Sequence, residues 1–196
     1  MPVKSGVIEI CVAARCGAAW LVKAGGPTIN GAVDMCGKNV AVEQGTTEES
    51  DAWGFMGQQV GGTPFASDKN NCKLAGKNDI KVLSFATQTE ANSALLSGRA
   101  DMGWLDQPVA NYQVKQLNGR VKVSGQPCSV APYGIAIVKG SQLEKAITDA
   151  VKYLMDNNNY YKDILSSWNV TDGAVTSADV TLNNNNSIGA TCVPPY

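Results

Sequence analysis

An α/β fold with a mostly parallel sheet flanked by helices is the architecture this sequence predicts, and three observations carry it. Short β-rich runs alternate with amphipathic stretches, and hydroxyl residues stand three positions before glutamates where those stretches begin. The 196 residues, 44% of them hydrophobic, are also enough to bury a core in one domain or two small ones. Strands are read at Val40–Val42, Lys81–Phe85 and Ala100–Leu105, each followed by a helix, so the order is βαβαβα.

The first helix start is marked by Thr46 with Glu49, the second by Thr87 with Glu90 and a later one by Ser141 with Glu144, all at capping-box spacing. The second helix gathers Ala91, Ala94 and Leu95 on one face and stops at Ser97-Gly98, where glycine suits a left-handed terminus. Beyond Ser141, Leu143, Ile147, Val151 and Leu154 recur at helical spacing. Ile164, Leu165 and Trp168 continue that stripe after a break at Asn157–Asn159, and such a face must be buried against something. The tail from Asn183, an asparagine run ending in Cys192 and Pro-Pro-Tyr, reads as a loosely ordered extension.

Composition excludes several functions. Sixteen basic and seventeen acidic residues leave a net charge of -1 with no basic stripe, so nucleic acids and anionic membranes are not expected partners. No apolar run approaches the ~20 residues of a membrane-spanning helix. The start, MPVKSG, is neither a signal core nor a lipid-attachment site, so a soluble chain is expected, its export signal absent or removed. Six scattered cysteines without a CxxC pair read as disulfides of an oxidising compartment rather than zinc ligands. Histidine is absent, which removes Ser-His-Asp and Cys-His chemistry and the commonest metal ligand. The chain is therefore read as a non-enzyme, with no metal and no cofactor.

Two short segments carry the functional candidates. In Val40-Ala-Val-Glu-Gln-Gly-Thr-Thr-Glu-Glu49 a strand ends in Glu43, and Gly45, Thr46 and Thr47 open a helix. The first-turn amides and threonine hydroxyls form either a receptor for a carboxylate or simply a capped helix, whose dipole Glu48, Glu49 and Asp51 already complement. In Ser97-Gly-Arg-Ala-Asp-Met-Gly-Trp-Leu-Asp-Gln-Pro108, Asp106 stands at a strand's carboxyl end. It is either an acceptor for a ligand ammonium, at the edge where parallel sheets bind ligands, or the N-cap of a helix primed by Pro108. Together the two segments supply the two poles of an α-amino-acid clamp.

At these residues the chain resembles the bacterial family-3, polar-amino-acid solute-binding proteins of ABC transporters, which have the type II periplasmic-binding-protein fold. The similar stretches are Asp34-Met-Cys-Gly-Lys-Asn-Val-Ala-Val-Glu-Gln-Gly-Thr-Thr47, Leu96-Ser-Gly-Arg-Ala-Asp101 with Asp106 following, Ala131-Pro-Tyr-Gly-Ile-Ala-Ile-Val-Lys-Gly140 and Tyr160-Tyr-Lys-Asp-Ile-Leu-Ser-Ser-Trp-Asn-Val170. The resemblance implies capture of an α-amino acid, its carboxylate at Thr47 and neighbouring amides and its ammonium at Asp106, with Glu43 placed to favour a cationic ligand. Asp101 matches a family aspartate that looks structural. Cys36 and Cys72 resemble a disulfide pair of actinobacterial members, and Cys128 with Cys192 is the pairing expected if hinge and tail meet; Cys11 and Cys16 are left unassigned.

The resemblance further implies a complete second lobe over 17–131, a first-lobe remnant with hinge strand over 1–16, a hinge strand and first-lobe helices over 132–182, and a flexible tail over 183–196. Arg15, in Ile10-Cys-Val-Ala-Ala-Arg-Cys-Gly17, stands either as an anion contact or as a structural arginine. The family's aromatic platform and ligand-carboxylate arginine have no counterpart here, so the chain is expected to bind free amino acids weakly. Its expected partners are an amino acid, the membrane permease of an ABC transporter, and a second copy or another chain that covers the helix stripe; its expected place is extracytoplasmic, in the periplasm or at the bacterial cell surface. The competing readings are a ligand-free protein-interaction module and, more remotely, an enzyme resembling cyclohexadienyl dehydratases, for which only Glu43, Glu48 and Asp106 are available as an acid or base in the cleft.

Overall fold

Val40, Ala41 and Val42 are fully buried, the mark of a strand covered on both faces. In the computed structural model, which describes the backbone of residues 8–65, 69–182 and 192 and side chains from residue 14 onward, they lie in β2 (Asn39–Glu43). The other strands are β1 (Ile8–Lys23), β3 (Lys81–Phe85), β4 (Met102–Asp106) and β5 (Val121–Val138), in the spatial order β3-β2-β4-β1-β5. β2 runs parallel to β3 and β4, whereas β1 runs antiparallel to β4. The sheet is thus mixed, its parallel part being the one expected from the βαβαβα order.

Helices α1 (Thr47–Phe55), α3 (Gln88–Ser97) and α4 (Gln107–Gln116) follow the three parallel strands, α2 (Asn71–Leu74) is a single turn, and α5 (Leu143–Asp156) and α6 (Tyr160–Ser167) come last. Strand alternation sorts the core. Ala18, Trp20, Val22, Val40, Val42, Met102 and Trp104 turn to one face and pack with Ala52 and Phe55 of α1. Ala19, Leu21 and Leu105 pack with Leu95 of α3 and Ala110 of α4, and Ala41 packs with Ala91 and Ala94 of α3.

The chain divides into two units, one of residues 18–129 with 190–196, the other of residues 1–17 with 130–189, and it passes between them within β1 and within β5. The first, which holds the parallel strands, is closed by two disulfides. Cys36 joins Cys72 at a Cα separation of 5.5 Å, and Cys128 joins Cys192 at 4.9 Å. Asp101 holds the strand starts together, its carboxylate accepting from the Asn39 amide at 2.8 Å and the Asn39 side chain at 3.1 Å while its own N–H donates to the Asn39 carbonyl.

In the second unit α5 and α6 meet, and Ile147, Val151 and Met155 pack on Ile137 and Val180. The predicted stripe is therefore split. Ile147 and Val151 have apolar partners, while Leu143, Leu154 and Ile164 stay exposed, because among the described residues the helices have only one small cluster to lie on. Arg15 pairs with Asp179 at 3.4 Å in this unit, the structural one of its two readings.

Thr87 and Glu90 form the full capping box, and Gly98 ends α3 at φ 84°. At Thr46 half of it forms: the hydroxyl caps Glu49 N–H, but the Glu49 carboxylate reaches back to Gly45 rather than to Thr46. Ser141 does not cap α5 as expected. The helix starts two residues later behind Gln142, the Ser141 hydroxyl is buried without a partner among the described residues, and the Glu144 carboxylate accepts from the Gly140 amide. Spacing alone brings hydroxyl and glutamate near, and the turn decides which amide each one meets. Asn158, Asn159 and Asn169 adopt left-handed backbone, which explains both the break between α5 and α6 and the Trp168-Asn-Val turn. The side chain of Cys11, the start of the chain and the tail from Asn183, Cys192 apart, lie outside the described residues. Among the described residues no helix is long and apolar enough to cross a membrane.

Candidate functional site

Parallel pairing brings the carboxyl ends of β2, β3 and β4 to one edge, with Glu43 beside Phe85 and Asp106 at the end of β4. This is the edge at which α/β sheets bind ligands. The turn from β2 into α1 depends on Gly45, whose φ of 80° is open to glycine and strained for other residues. The Gly45 amide then donates to the Glu49 carboxylate at 2.7 Å. Thr46 caps α1, donating to the Glu43 carbonyl at 2.8 Å while accepting from the Glu49 amide at 3.2 Å. Thr47 donates its hydroxyl to Glu48 at 3.1 Å. Two of the donors expected of an open anion receptor, the Gly45 amide and the Thr47 hydroxyl, are engaged by the helix's own first-turn carboxylates, which compete for the same positive helix end, and the Thr46 hydroxyl is engaged by the Glu43 carbonyl.

Asp106 occupies the N-cap position of α4, yet its side chain makes no capping bond; proline in the first turn removes one of the amides a cap would satisfy. Its carboxylate instead lines a cavity of about 60 Å³ together with Glu43, Thr46, Glu48, Gln88 and Trp104. The structure thus brings Glu43, Thr46 and Asp106 together, while Gly45 and Thr47 stand outside the cavity wall.

Three of these wall residues, Glu48, Trp104 and Gln88, were not among the expected ligand contacts. Glu48 is only 5% exposed, and burial pushes its carboxyl above the ordinary carboxylate range. The charges of Asp106 and Asp51 push it the same way, against its own backbone amide and the Thr47 hydroxyl, which favour the ionised form. Trp104 is fully buried, stacks on Trp20 at 6.0 Å between centroids, and carries an indole N–H without a hydrogen-bond partner among the described residues. Gln88 begins α3, its amide bonded to Asn92 at 2.9 Å. A signal for Trp104 did exist, since residues two apart on a strand share a face and Asp106 is its neighbour in that sense. As a ligand contact Glu48 carried no signal apart from Glu49, because both sit in the first turn of the same helix.

A larger, open depression of about 450 Å³ lies along α3, lined by Phe85, Ser93 and Arg99 among others. Its polar side chains are exposed, and Arg99 is spent over the Phe85 ring at 5.1 Å, so the smaller cavity at the sheet edge is the better site.

No protein-family model matches the chain. It is 31% identical to the arginine-binding protein ArgT of Corynebacterium glutamicum over 145 residues, which are 74% of this chain and 43% of ArgT. It is also 34% identical over 97 residues to the ABC transporter glutamine-binding protein GlnH of Bacillus subtilis, or 49% of this chain and 35% of GlnH. The chain is a homologue of the family-3 amino-acid-binding proteins of ABC transporters. An ancestral arginine-binding protein bound to glutamine superposes with a TM-score of 0.56 at 30% identity, over 83% of this chain and 64% of that one. The periplasmic-binding-protein fold expected of the family-3 resemblance is thereby shown. The aligned part spans less than half the length of either curated family-3 relative.

Proposed function

We propose that this chain captures an α-amino acid as the solute-binding component of an ABC transport system, by binding and without chemistry. Asp106 holds the ligand ammonium. The first turn of α1 at Thr47 takes the ligand carboxylate, the Thr47 hydroxyl turning from Glu48 to the ligand. The observation that carries this reading is an aspartate at a strand's carboxyl end that lines one cavity with Glu43, Thr46 and Glu48. That cavity of about 60 Å³ is well below the roughly 300 Å³ or more of complete small-molecule pockets, so it receives a polar head group and leaves the rest of the ligand outside it. Weak capture by this chain follows. The homologues bear the names of arginine- and glutamine-binding proteins, which supports amino-acid capture, and the two disulfides support an extracytoplasmic setting next to a membrane permease.

Calorimetric titration with the twenty amino acids tests the reading. At least one should bind, and Asp106→Asn should weaken that ligand roughly 30-fold or more, the usual cost of removing one partner of a buried charge pair. Absence of binding, or an Asp106→Asn variant that binds as well as the parent, would overturn it.

A second reading, a protein-interaction module, draws on α5 and α6, which bury no residue and leave Leu143 60%, Ile164 49% and Trp168 58% exposed. A concentration-independent monomer mass in light scattering would count against it.

A further inference from the structure

We infer that α5 is a self-association surface, pairing antiparallel with α5 of a second copy of this chain about a two-fold axis between Ala150 and Val151. The inference names the partner for the protein-interaction reading above and rests on it.

α5 carries three stripes, because residues three or four apart share a helix face. Ile147, Val151 and Met155 form the inward one and pack on Ile137 and Val180. Leu143, Ala146, Ala150, Tyr153 and Leu154 form a second, and all five are exposed, Leu143 at 60% and Tyr153 at 58%. Lys145, Asp149, Lys152 and Asp156 form the third, which flanks the exposed apolar one; Lys152 is half-buried and the other three are exposed. Glu144, the remaining charge of the helix, stands apart with its carboxylate on the Gly140 amide.

An exposed apolar stripe does not by itself name its cover, but the charges beside it do. Basic and acidic side chains alternate along the third stripe, and reversing the helix about its centre exchanges each lysine with an aspartate. In an antiparallel pair centred between Ala150 and Val151, Lys145 meets Asp156 of the second copy and Asp149 meets its Lys152. The two-fold axis repeats both contacts, so every charge of the stripe finds an opposite one. A parallel pair in register sets lysine against lysine and aspartate against aspartate, which costs free energy. Within one chain Lys145 and Asp149 pair at 2.5 Å with side chains 84% and 58% exposed, so both remain open to a second partner. One 14-residue helix against its copy is a small interface, so the pairing is weak, with a dissociation constant of roughly 10–100 μM.

Sedimentation equilibrium of the full, disulfide-bonded chain from about 1 μM to about 1 mM tests this, with circular dichroism of each variant as a folding control. The parent should pass from monomer to dimer. Lys145→Asp with Lys152→Asp makes the stripe all acidic, and Asp149→Lys with Asp156→Lys makes it all basic. Each double variant should self-associate at least roughly tenfold more weakly, because every exposed pair turns from attractive to repulsive. Mixed in equal amounts, the two variants should form a dimer again, which variants with a merely damaged helix would not do. Double variants that self-associate as tightly as the parent, or a mixture that stays monomeric, would overturn the α5 pairing while leaving the interaction reading intact. A parent that stays monomeric at every concentration would overturn both.

Discussion

The unit of residues 18–129 and the unit of residues 130–189 use hydrophobic residues in opposite ways. In the first, Leu21, Val22, Val40, Val42, Met102 and Trp104 are fully buried between helices on both faces of a sheet. In the second, neither α5 nor α6 buries a single residue, and Tyr153, Tyr160, Ile164 and Trp168 lie open. Both regions have clear apolar periodicity. What separates them is the supply of partner surface: a central strand needs cover on two faces and finds it, whereas the amphipathic helices find one small cluster at Ile137 and Val180.

Paired core substitutions give the largest effect that can break this contrast. Leu21→Ala should cost about 2–5 kcal/mol in chemical denaturation, whereas Leu143→Ala should stay within about 0.5 kcal/mol. Equal costs would show that Leu143 is covered in solution. The disulfide between Cys36 and Cys72, 36 residues apart, closes the first unit. Replacing both by serine should lower stability by roughly 3–4 kcal/mol on a chain-entropy account, and denaturation followed by tryptophan fluorescence would register it.

The smallest effect concerns Glu48 and sharpens the contrast between stability and function within the first unit. Its folded-state carboxyl holds a proton more tightly than in the unfolded chain, owing first to burial and then to Asp106 and Asp51, so the folded state binds more protons around that range. Stability therefore falls as pH rises from the ordinary glutamate value of 4.5 through the raised one. Without ligand, Glu48→Gln should melt higher than the parent at neutral pH, and the gap should vanish in acid; a gap independent of pH would deny the buried charge.

Much of the local structure was legible along the chain. Lys81–Phe85 is a strand as read, Thr87 with Glu90 caps a helix, and Gly98 ends it, because propensity, capping and glycine geometry act over a few residues. Asp106 was legible as a candidate with two roles, and the structure gives it the N-cap position of α4 without a side-chain capping bond. Ser141 was misread because capping depends on the turn before the helix as well as on spacing. Glu48 was legible only as an acid or base for an enzyme reading, and packing is what separates it, turned to the cavity, from Glu49, turned back on Gly45; Trp104 was missed because it reads as a core residue of its strand.

Sequence by itself determined the βα alternation, the helix boundaries at Thr46 and Thr87, and the kinship to amino-acid-binding proteins, all of which depend on local chemistry and residue order. Tertiary structure alone decided which carboxylates meet. Glu43, Glu48 and Asp106 come from separate stretches, and only the parallel register of β2 and β4, with α1 folded over their ends, brings like charges around one cavity. The family resemblance put all three near one cleft, but no short-range rule brings them around one cavity, since like charges in proximity cost free energy.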